Sequence, residues 1–268
     1  MIIKQIVYLI VLATPVAALA HDTWVQTNSS IVRTGDVVHI DLMLGNHGNG
    51  HRDFKIAGKL SLEGATLELI DPEGKHFDLK ERLVDTGYTP QEGYWTARFE
   101  PTKPGLYTIA LRSDRVMSYA PERSVKCGKA FFVASTSLDR VPATNSGFDQ
   151  TLGHELEIVP LLNPVTPMGP GSPLKVRLLY KGKPLAGERL SFIPRGATLQ
   201  PGTDARYERT TDARGEAAFN PNEANYYLMV AHKTEPTQGG MLDSKPYELT
   251  KYSATLSVFV PRLCPCGD

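Results

Sequence analysis

The chain has 268 residues, with 29 basic and 29 acidic side chains and so a formal net charge of zero. Its 41% hydrophobic and 22% charged residues are globular values, which exclude wholesale disorder. The even charge, without a long basic run, excludes the concentrated Lys/Arg surface of a nucleic-acid binder, and 23 glycines with 20 prolines favour short strands and turns over long helices.

Met1 to Ala20 reads as a cleavable secretory signal: Lys4 in a short n-region, an apolar run from Ile6 to Leu12, and Ala18-Leu19-Ala20 before the cut. The run is short against the roughly 20 residues of a bilayer span. The mature chain is therefore expected to be exported, periplasmic and not membrane-spanning. It would open His21-Asp22-Thr23-Trp24. A terminal histidine carries an α-amine and an imidazole Nδ1 that close one chelate ring on a metal ion. Their ordinary pKa values, about 8 and about 6.5, allow both to deprotonate near neutrality. Nitrogen-rich sites of this kind suit Cu(II) and Ni(II). Asp22 follows as a hydrogen-bond acceptor or an outer support for a metal-bound imidazole.

From Ile31 the pattern is that of strands. Val38, Ile40, Leu42 and Leu44 share one face, and Val37, His39, Asp41 and Met43 the other. Ala65, Leu67 and Leu69 alternate with polar residues before the turn Asp71-Pro72-Glu73-Gly74, and His76–Leu79 returns. Strands are expected over Tyr94–Phe99, Thr108–Leu111 and Ala130–Ala134, and Gly105-Leu106-Tyr107 has the form of an immunoglobulin-type tyrosine corner. Ser135 to Gly153 is rich in Ser, Thr, Asn, Pro and Gly and reads as a linker. Beyond it, strands are expected at Leu174–Tyr180, Arg189–Ile193, after the turn at Asp212–Gly215, at Tyr226–His232 and at Ala254–Val260. The expected fold is all-β: two immunoglobulin-like β-sandwich domains in series after a signal peptide. The boundaries are 1–20 signal, 21–135 first sandwich, 136–156 linker, 157–261 second sandwich and 262–268 a cysteine-containing tail.

Six histidines besides His21 are candidates. His47 and His51 lie in Gly45-Asn46-His47-Gly48-Asn49-Gly50-His51, a glycine-rich loop that either folds around an ion or is a solvated turn. His232 shares parity with Leu228 and Val230 at the end of its strand, a core position or a ligand position. His39 reads as solvated or pleat-facing, His76 as surface and His154 as packing at a domain interface. Trp24 is expected to pack in the first sandwich. Three cysteines, Cys127, Cys264 and Cys266, leave a disulfide from Cys127 to the tail, a soft Cu(I) site at Cys264-Pro265-Cys266, or adventitious tail thiols all open.

His-Asp-x-Trp directly after a signal, followed in the second unit by Gly-Lys-Pro-Leu-Ala-Gly (182–187), Thr-Asp-Ala-Arg-Gly-Glu-Ala (211–217), Val-Ala-His (230–232) and Tyr-x-Ala-x-Leu (252–256), resembles the periplasmic nickel/cobalt-uptake-type family. The resemblance runs from His21 to about Val260. It implies a periplasmic metal-binding protein for uptake or handling, with a membrane transporter as partner, rather than an enzyme. The metal set is then His21, His47, His51 and His232 with a divalent Ni, Co or Cu. Two rivals remain: a metal-free structural or interaction module of the envelope, and a copper-dependent polysaccharide monooxygenase, which also begins with histidine on a β-sandwich. No Gly-x-Ser-x-Gly, P-loop or His-Glu-x-x-His motif is present.

Overall fold

The computed structural model of the protein describes residues 21–45, 62–87, 93–142 and 145–262. Apart from one short 3₁₀ turn at Lys80–Arg82, its regular structure is β. The first nine strands are β1 (Asp22–Thr27), β2 (Ile31–Arg33), β3 (Val38–Gly45), β4 (Ala65–Ile70), β5 (His76–Asp78), β6 (Val84–Asp85), β7 (Trp95–Phe99), β8 (Gly105–Val116) and β9 (Glu122–Ser135). Ten follow: β10 (Leu156–Pro160), β11 (Leu174–Tyr180), β12 (Lys183–Pro184), β13 (Arg189–Pro194), β14 (Glu208–Thr210), β15 (Glu216–Phe219), β16 (Asn225–Glu235), β17 (Gly240–Leu242), β18 (Lys245–Tyr247) and β19 (Leu249–Val260). Among the described residues no helix is long and apolar enough to cross a membrane.

A nine-stranded sheet organises the molecule. Its order is β14-β13-β16-β19-β9-β8-β4-β5, with β2 also on β9. Strands from both halves of the sequence meet in it through one parallel pairing, which sets Leu249–Ser257 of β19 against Glu122–Ala130 of β9. The β1-β3-β7-β6 sheet covers one face and the sheet of β10, β11, β12 and β15 the other. Residue alternation along β9 follows from this: Ala130, Phe132 and Ala134 join the core shared with Ile40, Leu42 and Leu69, while Val125, Cys127, Phe131 and Val133 join the one shared with Ile158, Val176 and Leu178. A strand buried on both faces carries apolar side chains on both, which is the reading of Ala130–Ala134.

The all-β expectation holds, and two turns behave as their residues dictate. Gly74 (φ +81°) closes the turn after Asp71, whose carboxylate accepts from the N–H groups of Glu73 and Lys75 at 2.9 Å. Gly215 (φ +72°) closes the turn after Asp212, and a Cβ there would stand 2.7 Å from the Leu178 carbonyl oxygen. Tyr107 forms the expected corner: its hydroxyl donates to the Lys103 carbonyl at 2.9 Å, and its ring stacks on Phe132 at 4.8 Å. The described residues between β9 and β10 form no strand. The two strands that they connect are joined by an internal ion pair, Lys129 Nζ of β9 to Glu157 Oε1 of β10 at 2.5 Å, with both side chains 2% exposed.

Candidate functional site

The first strand was not expected, and it sets the site. β1 pairs with β3 along one edge, from Asp22 opposite Gly45 to Thr27 opposite Ile40. Its other edge lies over β19. There Thr255 Oγ1 donates to the Thr23 carbonyl at 2.9 Å and Ser257 Oγ donates to the Val25 carbonyl. A two-residue step along β19 matches a two-residue step along β1, so side-chain hydroxyls replace the neighbour strand that an edge would otherwise lack. All six β1 residues are buried. Trp24 does not pack within the first sandwich as expected. It joins Met43 to Ile193, Leu228 and Val230 of β13 and β16, because the strand lies across the junction of the halves.

β16 brings His232 to the same end. It has the parity of Leu228 and Val230, which face Trp24. His232 is about half exposed, and its Nε2 lies 2.8 Å from Asp22 Oδ1. The carboxylate beside it raises the imidazole pKa above its ordinary value, with burial opposing. Nε2 as donor to Asp22 leaves Nδ1 as the unprotonated nitrogen of the neutral ring, the outer-support geometry of a metal-binding histidine. His21 is exposed at the start of β1, and its carbonyl accepts from Lys126 Nζ at 3.0 Å. Lys126 also reaches Thr23 Oγ1 at 3.3 Å, and burial lowers its pKa.

Of the four expected ligands, His232 is hydrogen-bonded to Asp22, the residue that follows His21 in the chain. The other two, His47 and His51, lie outside the described residues, beyond Gly45 at the end of β3. Among the described residues no three His, Cys, Asp or Glu side chains form a group able to hold a metal ion. Asp22 is the acceptor of the His232 imidazole.

The remaining histidines fall elsewhere. His76 is exposed, its Nδ1 3.0 Å from Glu68 Oε2, as a surface residue should be. His39 is half-buried, and its N–H donates to Asn28 Oδ1 at 2.8 Å. His154 is buried at the start of the second half, and burial depresses its pKa. Cys127 is a free, buried thiol whose pKa burial pushes up to about 12, the setting of an inert cysteine. Cys264 and Cys266 lie outside the described residues.

Sequence reasoning missed Lys126. Its parity on β9 was readable only once β9 was known to extend back to Glu122.

No curated protein matches the sequence. Among solved structures, the D0–D1 domain of intimin is 12% identical, with 89% of this chain and 98% of that one covered, at a TM-score of 0.23. Alpha-2-macroglobulin from Salmonella is 12% identical, with 90% of this chain but 15% of that one covered, at 0.27. A DUF4785-family protein from Legionella pneumophila is 13% identical, with 77% and 52% covered, at 0.28. TM-scores this low carry no inference. The model of a domain of unknown function, DUF4198, matches residues 18–235, a span that includes His21, Asp22, Lys126 and His232, and the chain therefore belongs to the DUF4198 family.

Proposed function

We propose that this is an exported, periplasmic metal-binding protein, cleaved after Ala20. In this reading it holds a divalent Ni, Co or Cu ion through the α-amine and imidazole of His21 and through Nδ1 of His232, and passes it to a membrane transporter. His47 and His51 are the candidates to complete the set. The protein acts as a carrier and not as an enzyme.

The observation that carries this reading is the 2.8 Å contact between His232 Nε2 and Asp22 Oδ1. It joins the neighbour of His21 to a histidine 210 positions away and turns that imidazole so that its other nitrogen is the basic one. Equilibrium titration of the processed chain with Ni(II), Co(II) and Cu(II) tests it. One alanine placed before His21 removes the amine–imidazole chelate and should weaken binding at least tenfold. Equal binding by the two forms would mean the site is wrong.

A metal-free envelope module is the second reading. It is favoured by the nine-stranded sheet that runs through both halves and makes a rigid spacer. Failure of all three metals to bind would select it.

A further inference from the structure

Residues 147–155 lie against β8 and β9 on the way into β10 without joining a sheet. Asp149, Gln150, Thr151 and Gly153 are exposed. The backbone of this segment is lightly bonded: the Gln150 N–H donates to the Gly147 carbonyl at 3.3 Å, and the Lys181 N–H donates to the Glu155 carbonyl at 2.7 Å. Charged side chains supply the other fastenings. Glu157 accepts from the Leu152 N–H at 2.6 Å and the His154 N–H at 3.2 Å, Lys129 Nζ donates to the Gln150 carbonyl at 3.4 Å, and Arg112 Nε donates to Glu155 Oε2 at 3.1 Å. Phe148 is the apolar contact, half-buried against the core. A segment with an exposed backbone, fastened at a few points, opens at a lower free energy than the sheets it rests on.

Within the segment His154 is buried, between an exposed Gly153 and a half-buried Glu155. The charges that face it are Glu155 and Glu157 from its own stretch of chain, Lys129 from β9 and Arg112 from β8. Asp114 and Cys127 stand beside Glu155. On the β11 side, the Lys181 ammonium lies over the Tyr180 ring at 5.0 Å. Burial lowers the imidazole pKa; the two carboxylates oppose burial, and Lys129 and Arg112 add to it. Burial raises the Glu155 pKa, but hydrogen bonds from Arg112 and the backbone, with the Arg112 charge, outweigh burial and hold it below its ordinary value. Both groups therefore bind protons more readily once the segment has opened into water. The closed form is favoured in full above about pH 6.5 and loses that advantage as the pH falls, first through His154 and then, in stronger acid, through Glu155.

We propose that residues 147–155 form an acid-released strap, which lifts from β8 and β9 in mild acid while the sheets stay intact. The opening ends at Leu156, which is 0% exposed, joins the core and pairs with Tyr180 across the β10–β11 ladder. Mild acid thus turns a covered stretch of β8 and β9 into open surface. Neither His21 nor His232 takes part, so the strap works with or without a bound metal.

Hydrogen exchange of the processed protein, followed by mass spectrometry between pH 7.5 and 5 and corrected for the intrinsic chemical rate, tests it. One proton taken up on opening changes the opening constant by at most about tenfold per pH unit. The peptide spanning 148–154 should therefore open about fivefold or more as the pH falls from 7.5 to 5, while peptides within β9 and β16 stay protected. His154→Leu should flatten that dependence. Arg112→Gln should raise opening at every pH and keep the slope, with circular dichroism confirming the fold of both variants. Equal opening of 148–154 at the two pH values would overturn the proposal. So would a rise that merely keeps step with β9, which is global unfolding, or an undiminished slope in His154→Leu.

Discussion

The internal ion pair between β9 and β10 offers a perturbation whose size can be worked out. Lys129 and Glu157 are each 2% exposed and meet at 2.5 Å. Glu157 also accepts from the Leu152 N–H at 2.6 Å and the His154 N–H at 3.2 Å, so it fastens the connecting segment to the central sheet. Lys129→Met removes the cation and leaves a buried carboxylate with two backbone donors, a change expected to cost about 3–5 kcal/mol. Glu157→Leu strands the ammonium, whose further contact is the Gln150 carbonyl at 3.4 Å, and leaves two N–H groups without an acceptor. Burial already lowers the Lys129 pKa, so this second variant escapes part of its penalty by shedding the proton, and its cost should grow as the pH falls. The double variant should lose less stability than the sum of the two single losses, because removing both charges leaves no unpaired ion. Urea unfolding followed by tryptophan fluorescence measures all four proteins. With a slope of about 3 kcal/mol/M, Lys129→Met should lower the midpoint by about 1–2 M. A midpoint unchanged to within about 0.2 M, or strictly additive losses, would refute the claim that this pair is dry and mutually compensating.

Further outcomes follow from the same geometry. Thr255→Val and Ser257→Ala each leave a buried β1 carbonyl without its donor and should cost about 1–3 kcal/mol apiece in urea unfolding; losses below about 0.3 kcal/mol would mean that β1 is not held by these hydroxyls. The buried His154 has a depressed pKa, so below the unfolded value of about 6.5 the unfolded chain takes up a proton that the folded chain refuses. Stability from this group is thus complete above that pH and falls as the pH drops towards the folded pKa. Unfolding measured between pH 7.5 and 5 should show a shallower pH slope in His154→Leu than in the parent protein; identical slopes would count against a neutral buried imidazole.

Much of the fold was legible because most strands obey one periodicity. The alternation of Val38, Ile40, Leu42 and Leu44 and the turn chemistry of Asp71–Gly74 and Asp212–Gly215 are local, and each segment folds as its residues suggest. β1 was not legible. Asp22, Gln26 and the two threonines are polar, yet all six residues are buried, since their partners come from β3, β16 and β19 and not from water. Alternation reveals a strand only where one face is wet. The parallel pairing of β9 with β19 was hidden for another reason: nothing local in either segment names a partner more than a hundred residues away. The site divides in the same manner. His232 could be placed by parity with Leu228 and Val230, and Asp22 could be marked as an acceptor from its place beside His21. That the two meet, and that Lys126 stands beside them, depends on register across four strands.

Electron paramagnetic resonance of the processed protein loaded with one equivalent of Cu(II) tests the metal reading most directly. Nitrogen couplings should include the terminal amine and at least two imidazoles. His21→Ala should change the copper hyperfine pattern outright, and His232→Ala should remove one imidazole. A spectrum that survives both substitutions unaltered would contradict a metal site built at the start of β1.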